Sequence, residues 1–257
     1  MTPSDSRSPS TIRIELCAGG IDDVGLAAQC GIPQIELNSG MPMGGLTPPA
    51  GLVGAARREF SGSIIAMVRP REGGFQYSRA EFHQMLDDCE FLFSRGMDGV
   101  AIGFLQADGT VDEARCRKLR SIFPQKTLVF HKAFDVTPNL PLALQKLIDC
   151  GFQRVLTSGG KLTALEGADV LRGLNHLANG AIEILAAGGI RAANVIELLQ
   201  RSECRQIHSA VRTTHDDPST RRNAVLHFGV SGSSGNGCFG AASAQQLTEL
   251  QAAVASF

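Results

Sequence analysis

The sequence predicts a single-domain α/β protein, a (β/α)8 TIM-like barrel, from the number and spacing of its apolar segments. Eight short apolar or β-branched runs alternate with segments of helical periodicity along the 257 residues. Eight such units suit a barrel, whereas an open doubly wound sheet usually uses fewer strands in this length. The composition, 43% hydrophobic and 19% charged, is sufficient to bury one full core. The runs begin near residues 12, 34, 63, 99, 127, 154, 182 and 206.

Helices between the strands are predicted from apolar residues that recur three or four positions apart. The clearest segment carries Phe82, Met85, Cys89 and Leu92 on one face. A Gly/Ser-rich connection near the end of the chain is typical of a mobile βα loop. The predicted segments are a flexible N-terminal tail at 1–11, a barrel at 12–257, helices at 80–95, 142–150 and 241–256, and a C-terminal loop at 213–240 that contains the Gly/Ser-rich connection at 229–240.

Charge and composition exclude several classes of partner. Lys and Arg number 24 against 25 Asp and Glu, so no basic excess attracts a nucleic acid backbone. Trp is absent and Tyr occurs once, which leaves few side chains for base stacking. No apolar run approaches the roughly 20 residues of a membrane span, and the first residues lack the apolar stretch of a signal peptide. We therefore expect a cytoplasmic protein that binds neither nucleic acid nor membrane.

The cysteines indicate a reducing environment. There are 7 of them, scattered along the chain without a CxxC pair. An odd number without paired spacing is typical of free thiols rather than of a disulfide framework.

The alternation of side chains along the strands locates a candidate site. Alternate residues of a barrel strand point into the barrel, and functional groups lie at the carboxyl ends of the strands. In the first two strands the apolar residues share one face, so the polar residues between them are predicted to face inward. The residues predicted to meet at one mouth by this test are Glu15, Glu36, Arg69, His131, Thr157, His208 and Arg212, with Cys17, Met67 and Asp135 beside them.

A mouth that carries both signs of charge has two interpretations. Each buried ion loses several kcal/mol of solvation unless it is paired, so a layer that served stability alone would more simply be apolar. This favours a ligand or catalytic site, and a self-satisfied network that closes the barrel is the alternative. The acid/base candidates are Glu15, Glu36, His131, Asp135 and His208.

Loops at the strand ends suggest a site for an anion. Glycines after the sixth and seventh strands would let backbone N–H groups approach a phosphate or carboxylate, although such pairs are also ordinary turn chemistry. The loops at 39–48 and 69–78 are long enough to cover the mouth, and the second begins with Arg69, the strongest anion candidate. Lys132 is a possible Schiff-base lysine by residue type, but its alternation opposes that of His131 and would turn it outward, so it is set aside. The predicted anion-binding residues are Arg69, Arg71, Thr157, Ser158, Gly159, Gly160, Gly188, Gly189 and Arg212.

Several segments between residues 12 and 212 form a set that is specific when taken jointly. They read IELCA at the first strand, GGLTP at 44–48, RPREGGFQYS at 69–78, FHKAFD at 130–135, VLTSGG and TALEG within 155–167, AAGGIRAANV at 186–195 and IHSAVR at 207–212. Together they resemble the CutC family, whose members are called copper homeostasis proteins. The resemblance implies a TIM-like barrel, a cytoplasmic location, a homodimer or homotetramer and a role in copper binding.

The resemblance also implies that Cu(I) is held by cysteines near the ends of the first two strands. Cys17 matches the first of these positions, and Asn38 stands at the second. An amide is a poor ligand for a soft ion that selects sulfur. Cu(I) binding by Cys17 would then need another inward-facing donor, namely Met67, His131 or His208.

Two functions from different classes remain open at this point. One is a protein that binds or handles a metal ion, with Cu(I) at Cys17 and no turnover. The other is an enzyme of unknown reaction that acts on a small anionic substrate, a phosphate or a carboxylate, at the carboxyl-terminal mouth of the barrel.

Overall fold

The structure is a computed structural model and describes residues 12–220, 222–223, 225–226 and 237–257. The predicted tail at 1–11 and most of the Gly/Ser-rich connection, residues 229–236, lie outside the described residues. No helix in the described part of the chain combines the length and the apolar character that a membrane crossing requires.

Eight parallel strands form a closed barrel in chain order, and β8 pairs with β1. The predicted fold class is confirmed, and every strand begins within one residue of its predicted position. The register sets Glu15 beside His208 and Cys17 beside Glu36, so polar residues from three strands become neighbours. The strands are β1 Arg13–Ala18, β2 Gln34–Leu37, β3 Ser63–Met67, β4 Gly99–Ile102, β5 Thr127–Phe130, β6 Arg154–Thr157, β7 Glu183–Ala187 and β8 Gln206–Ser209.

Helices follow the strands and cover the outside of the barrel. Ser78 shows how sequence sets such a boundary, because its hydroxyl accepts from the Glu81 N–H and the Glu81 carboxylate accepts from the Ser78 N–H. This capping box begins α3 one residue before the predicted start. The helices are α1 Ile21–Gln29, α2 Ala50–Glu59, α3 Arg79–Ser94, α4 Glu113–Ile122, α5 Leu140–Asp149, α6 Ala168–Ala178, α7 Ala192–Ser202 and α8 Ala244–Ala255.

Apolar side chains fill the inside of the barrel, so the interior is a packed core and not a pore. The opposite faces of the same strands pack against the helices and form the larger outer core. Polar side chains are therefore accommodated only toward the ends of the barrel. The inner layer consists of Ile65, Met67, Ala101, Val129, Leu156, Leu185 and Ala187.

The C-terminal loop predicted at 213–240 contains regular structure. Strands β9 (Arg212–Asp216) and β10 (Cys238–Ala242) pair antiparallel beside the barrel, and the rings of His215 and Phe239 stack across them. The prediction was wrong here because two five-residue strands far apart in sequence gain their pairing only in the folded chain.

Candidate functional site

A cavity of about 790 Å³ opens at the carboxyl ends of the barrel strands. Its position is the one in which enzymes of this fold carry their active sites. Predicted residues that line it are Cys17, Glu36, Met67, Arg69, His131, Asp135, Ser158, Gly160 and His208. Asn38, which the alternation of β2 also turned inward, lines it as well, together with Met41, Lys132, Leu156 and Lys161, which the strand alternation did not place there.

Glu15 lies in a buried ionic network with His208. Its carboxylate accepts from His208 Nδ1 at 2.7 Å, from an Arg154 guanidinium nitrogen at 3.2 Å and from the Gln34 amide. The side chains of Glu15 and Arg154 are 4% and 6% exposed, so both charges are removed from water. Three donors therefore satisfy the carboxylate, and these bonds offset the cost of removing its charge from water.

The network keeps His208 and Glu15 ionised. Burial raises the pKa of Glu15, but the hydrogen bond and charge of His208, with Arg154, outweigh burial and hold that pKa below its ordinary value. Burial lowers the pKa of His208, and the charge of Glu36 with the contacts of Cys17 and Glu15 reverses the effect, so the pKa lies well above its ordinary value. The site therefore carries an imidazolium at neutral pH.

Cys17 is the centre of a second cluster of side chains. Its thiol donates to Glu36 Oε2 at 3.7 Å and lies 4.0 Å from the Met41 sulfur. Asn38 Nδ2 donates to the same Glu36 oxygen at 2.9 Å and lies 3.5 Å from the Cys17 sulfur. Potential ligand atoms of Cys17, Glu36 and His208 all lie within 4.8 Å of one another. Burial raises the pKa of both Cys17 and Glu36, and the charge of His208 lowers both in part.

The loop that follows β2 delivers Met41 to this cluster. Ser39 and Leu46 pair across the loop, and Met41–Met43 forms a short 3₁₀ turn between them. Gly45 has φ +86°, and a Cβ at that position would lie 2.5 Å from Asn38 Oδ1, so the loop can pack on Asn38 only with glycine there. Sequence reasoning treated this segment as a cover for the mouth and missed the Met41 sulfur beside Cys17.

His131 contributes a neutral imidazole to the cavity wall. The Ala133 N–H donates to His131 Nδ1 at 3.2 Å, which places the ring proton on Nε2. Burial and the charge of Arg69 lower the pKa of His131 to about 3. Among the described residues Nε2 has no hydrogen-bond partner. Gly103 makes room for the ring, because a Cβ at that position would come within 2.6 Å of it.

His131→Phe should reduce the loss of stability in acid. The unfolded chain binds a proton at His131 below pH 6.5, whereas the folded protein binds it only near pH 3. Stability from this group is therefore complete above pH 6.5 and lost as the pH falls toward 3, at about 1.4 kcal/mol per pH unit. Urea unfolding at several pH values in this window should give the variant a shallower slope. Equal slopes for variant and wild type would contradict the buried neutral imidazole.

Asp135 binds the loop that was predicted to hold a phosphate. Its carboxylate accepts from the backbone N–H groups of Ser158 at 3.1 Å and of Gly160 at 2.9 Å, and from the hydroxyls of Thr157 and Ser158. Lys132 completes the arrangement with its ammonium 3.1 Å from Asp135 and 2.9 Å from the Ser158 hydroxyl. The donors expected to bind an external anion are therefore occupied by an internal one.

The outward orientation that the sequence predicted for Lys132 is wrong. Strand β5 ends at Phe130, and residues Lys132–Val136 form a 3₁₀ turn. Because strand alternation no longer applies there, both His131 and Lys132 reach the cavity.

Thr157 was assigned the wrong orientation. In β6 the residues that face the barrel interior are Arg154, which reaches Glu15, and Leu156. Thr157 has the opposite alternation and contacts Asp135 and the Gly159 N–H. Arg154, which faces inward at the start of β6, was therefore missed, and Thr157, at the end of the strand, was wrongly predicted to face inward.

The predicted arginines and glycines differ in how they relate to the cavity. Arg69 lines it, but its two terminal nitrogens donate to the carbonyls of Met43, Gly45 and Gly73, so it holds the loops together. The remaining candidates do not line the cavity among the residues described. Arg71 pairs with Glu81, Arg212 pairs with Asp23 at 3.2 Å, Gly159 donates to Thr157, the Gly188 carbonyl accepts from the Ala164 N–H at 2.9 Å, and the Gly189 carbonyl accepts from Asn194 at 2.9 Å.

These features define a class of protein: a (β/α)8 barrel with a ligand cavity above a buried cluster of thiol, thioether, imidazole and carboxyl groups. The sequence model of the CutC family matches residues 12–213, and the chain belongs to that family. The predicted resemblance is thereby confirmed.

Named relatives extend over most of the chain. The family protein CutC of Treponema denticola is 43% identical over 218 residues, which is 85% of this chain and 89% of the relative. The human copper homeostasis protein cutC homolog is 34% identical over 218 residues, 85% of this chain and 80% of the relative. The crystal structure of CutC from Streptococcus agalactiae superposes with a TM-score of 0.74 at 29% identity, covering 78% of this chain and 99% of that one.

Proposed function

We propose that the protein functions in copper homeostasis by binding Cu(I) at Cys17, with Met41 and His208 as the supporting donors. The observation that carries the proposal is the 4.0 Å separation of the Cys17 and Met41 sulfurs beside His208. Thiolate, thioether and imidazole form a donor set that suits Cu(I), and Met41 supplies the soft ligand that Asn38 cannot. Family membership and the name of the human relative support the same reading.

The surroundings of His208 also fit a metal ligand. Glu15 holds Nδ1 at 2.7 Å, which leaves Nε2 directed toward Glu36 at 3.8 Å. A carboxylate behind a histidine is the common arrangement that orients such a ligand. Binding would displace the protons of Cys17 and His208, so the affinity for Cu(I) should rise with pH. A cytoplasmic location and a homodimer or homotetramer belong to this proposal as predictions.

A competition titration with a Cu(I) chelator under reducing conditions tests the donor set. Cys17→Ser should remove the binding, and Met41→Leu should weaken it by about 10- to 100-fold, the effect of losing a supporting group. Met43→Leu, in the same 3₁₀ turn but away from the cavity, is the matched control and should leave the affinity unchanged.

Asn38→Cys provides the opposite test, because it adds a second thiol at the position that the family resemblance assigns to a ligand. This variant should bind Cu(I) more tightly than the wild type. Retained binding in Cys17→Ser, or equal losses in the two methionine variants, would exclude the proposed donor set.

The second candidate is an enzyme that acts on a small anionic molecule. The observation that favours it is the cavity volume of about 790 Å³, which is far larger than one metal ion needs and within the range of small-molecule sites. Phosphate that stabilises the wild type but not Lys132→Met would support this candidate.

A further inference from the structure

The upper part of the cavity has the composition of an organic ligand site. Its walls include Met67, Phe75, Val136, Leu156 and Leu162 beside a small number of polar groups. Sites for small molecules are largely apolar, and a few placed polar groups fix the orientation of the ligand.

His131 requires an acceptor. The side chain is 3% exposed, its proton is fixed on Nε2, and among the described residues nothing accepts that proton. A buried donor without a partner is unfavourable, so a ligand oxygen beside it would gain more than an exposed hydrogen bond provides. Since the neutral ring offers only a donor at Nε2, the ligand group beside it must present an acceptor, and a carbonyl oxygen fits.

Two lysines on the cavity wall retain donors for a ligand. Lys132 uses two of its three N–H donors on Asp135 and Ser158. Lys161 follows on the same loop, and in the described part of the chain its ammonium forms no ion pair. Arg69 is also a cation of this wall: both of its terminal nitrogens donate to loop carbonyls, and its Nε has no partner among the described residues. Glu166, a carboxylate on the same wall, accepts from the Thr163 N–H at 3.3 Å.

We propose that the cavity binds a short 2-oxo carboxylic acid with an apolar chain. The carboxylate lies at Lys132 and Lys161, the oxo oxygen accepts from His131 Nε2, and the chain contacts the apolar wall. This inference rests on the second candidate function and names its substrate class. It is independent of copper, because none of these three residues belongs to the Cys17 donor set.

Isothermal titration with three matched compounds tests the proposal on the wild type. The probe is 2-oxopentanoate, pentanoate lacks the oxo oxygen, and 2-pentanone lacks the carboxylate. The protein should bind 2-oxopentanoate about tenfold more tightly than pentanoate, the effect of one hydrogen bond to a buried donor, and should bind 2-pentanone more weakly than either acid. Equal affinity for the two acids, or no binding of 2-oxopentanoate, overturns the proposal.

Variants assign the two ends of the ligand. His131→Phe should abolish the difference between the two acids, and Lys132→Met should weaken both acids about tenfold without changing 2-pentanone. Lys118→Met, on the exposed face of α4, is the control and should bind all compounds as the wild type does. Loss in Lys118→Met equal to that in Lys132→Met would mean non-specific ion binding and would contradict the assignment.

The failure of this inference can be told from that of the proposed functions. If phosphate protects the wild type through Lys132 while 2-oxopentanoate does not bind, the substrate class is wrong and the anion candidate stands. If Cys17→Ser loses Cu(I) but retains 2-oxopentanoate, both the copper proposal and this inference are supported.

Discussion

Glu15→Leu should destabilise the protein by about 3–5 kcal/mol, the effect of removing one partner of a buried charge pair. The substitution leaves the Arg154 guanidinium and the His208 imidazolium without their common carboxylate. The side chain of Arg154 is 6% exposed, so its charge loses its buried partner while it remains largely removed from water. Urea unfolding followed by circular dichroism at pH 7 measures the change.

The ion pair between Arg13 and Glu183 is the matched control for this prediction. It has a shorter separation, 2.6 Å, but its side chains are 57% and 46% exposed. Because water screens that pair, Arg13→Met should change stability by at most about 1 kcal/mol. Similar losses of unfolding free energy in the two variants would show that burial does not make the Glu15 network more stabilising than a surface ion pair.

Asp135→Ala should destabilise the protein by about 3 kcal/mol and create a binding site for small anions. Removal of the carboxylate leaves the buried Ser158 N–H and the buried Thr157 hydroxyl without their acceptor, and each unsatisfied buried donor costs about 1–3 kcal/mol. Acetate or phosphate can enter the vacated position and accept from the same donors. At about 100 times its dissociation constant, the added anion should restore about 2.7 kcal/mol.

Thermal unfolding with and without sodium acetate at constant ionic strength measures this rescue. The control is Asp169→Ala, because Asp169 is 65% exposed and pairs only at the surface with Arg201. Wild type and Asp169→Ala should gain little from acetate. An equal gain in all three proteins would mean a general salt effect. It would contradict the interpretation that the Asp135 carboxylate occupies an anion-binding position.

The fold was predictable from the sequence because periodicity is a local property. A run such as SIIAM at β3 is followed by a helical pattern, and this alternation repeated eight times leaves few architectures. Alternation within β1 and β2 also identified Glu15, Cys17 and Glu36 as inward-facing, because the regular strand carries each side chain to a fixed face.

Local regularity failed wherever the chain left a strand. Lys132 and Met41 belong to 3₁₀ turns, in which the two-residue alternation does not hold, so their arrival at the cavity depends on loop geometry. The strand pair β9–β10 was missed for a related reason, since its partners come from distant segments and bind through the backbone.

The sequence by itself therefore determined the barrel, the family and the polar character of its mouth. Tertiary structure alone decided which polar groups are free to bind a ligand. Asp135 occupies the donors that glycines offered to an anion, Arg69 is held by loop carbonyls, and His131 keeps an unpartnered N–H among the described residues. The physical reason is that a hydrogen-bonding group can serve a ligand only when no neighbour has already satisfied it, and neighbours are set by the packing of distant segments.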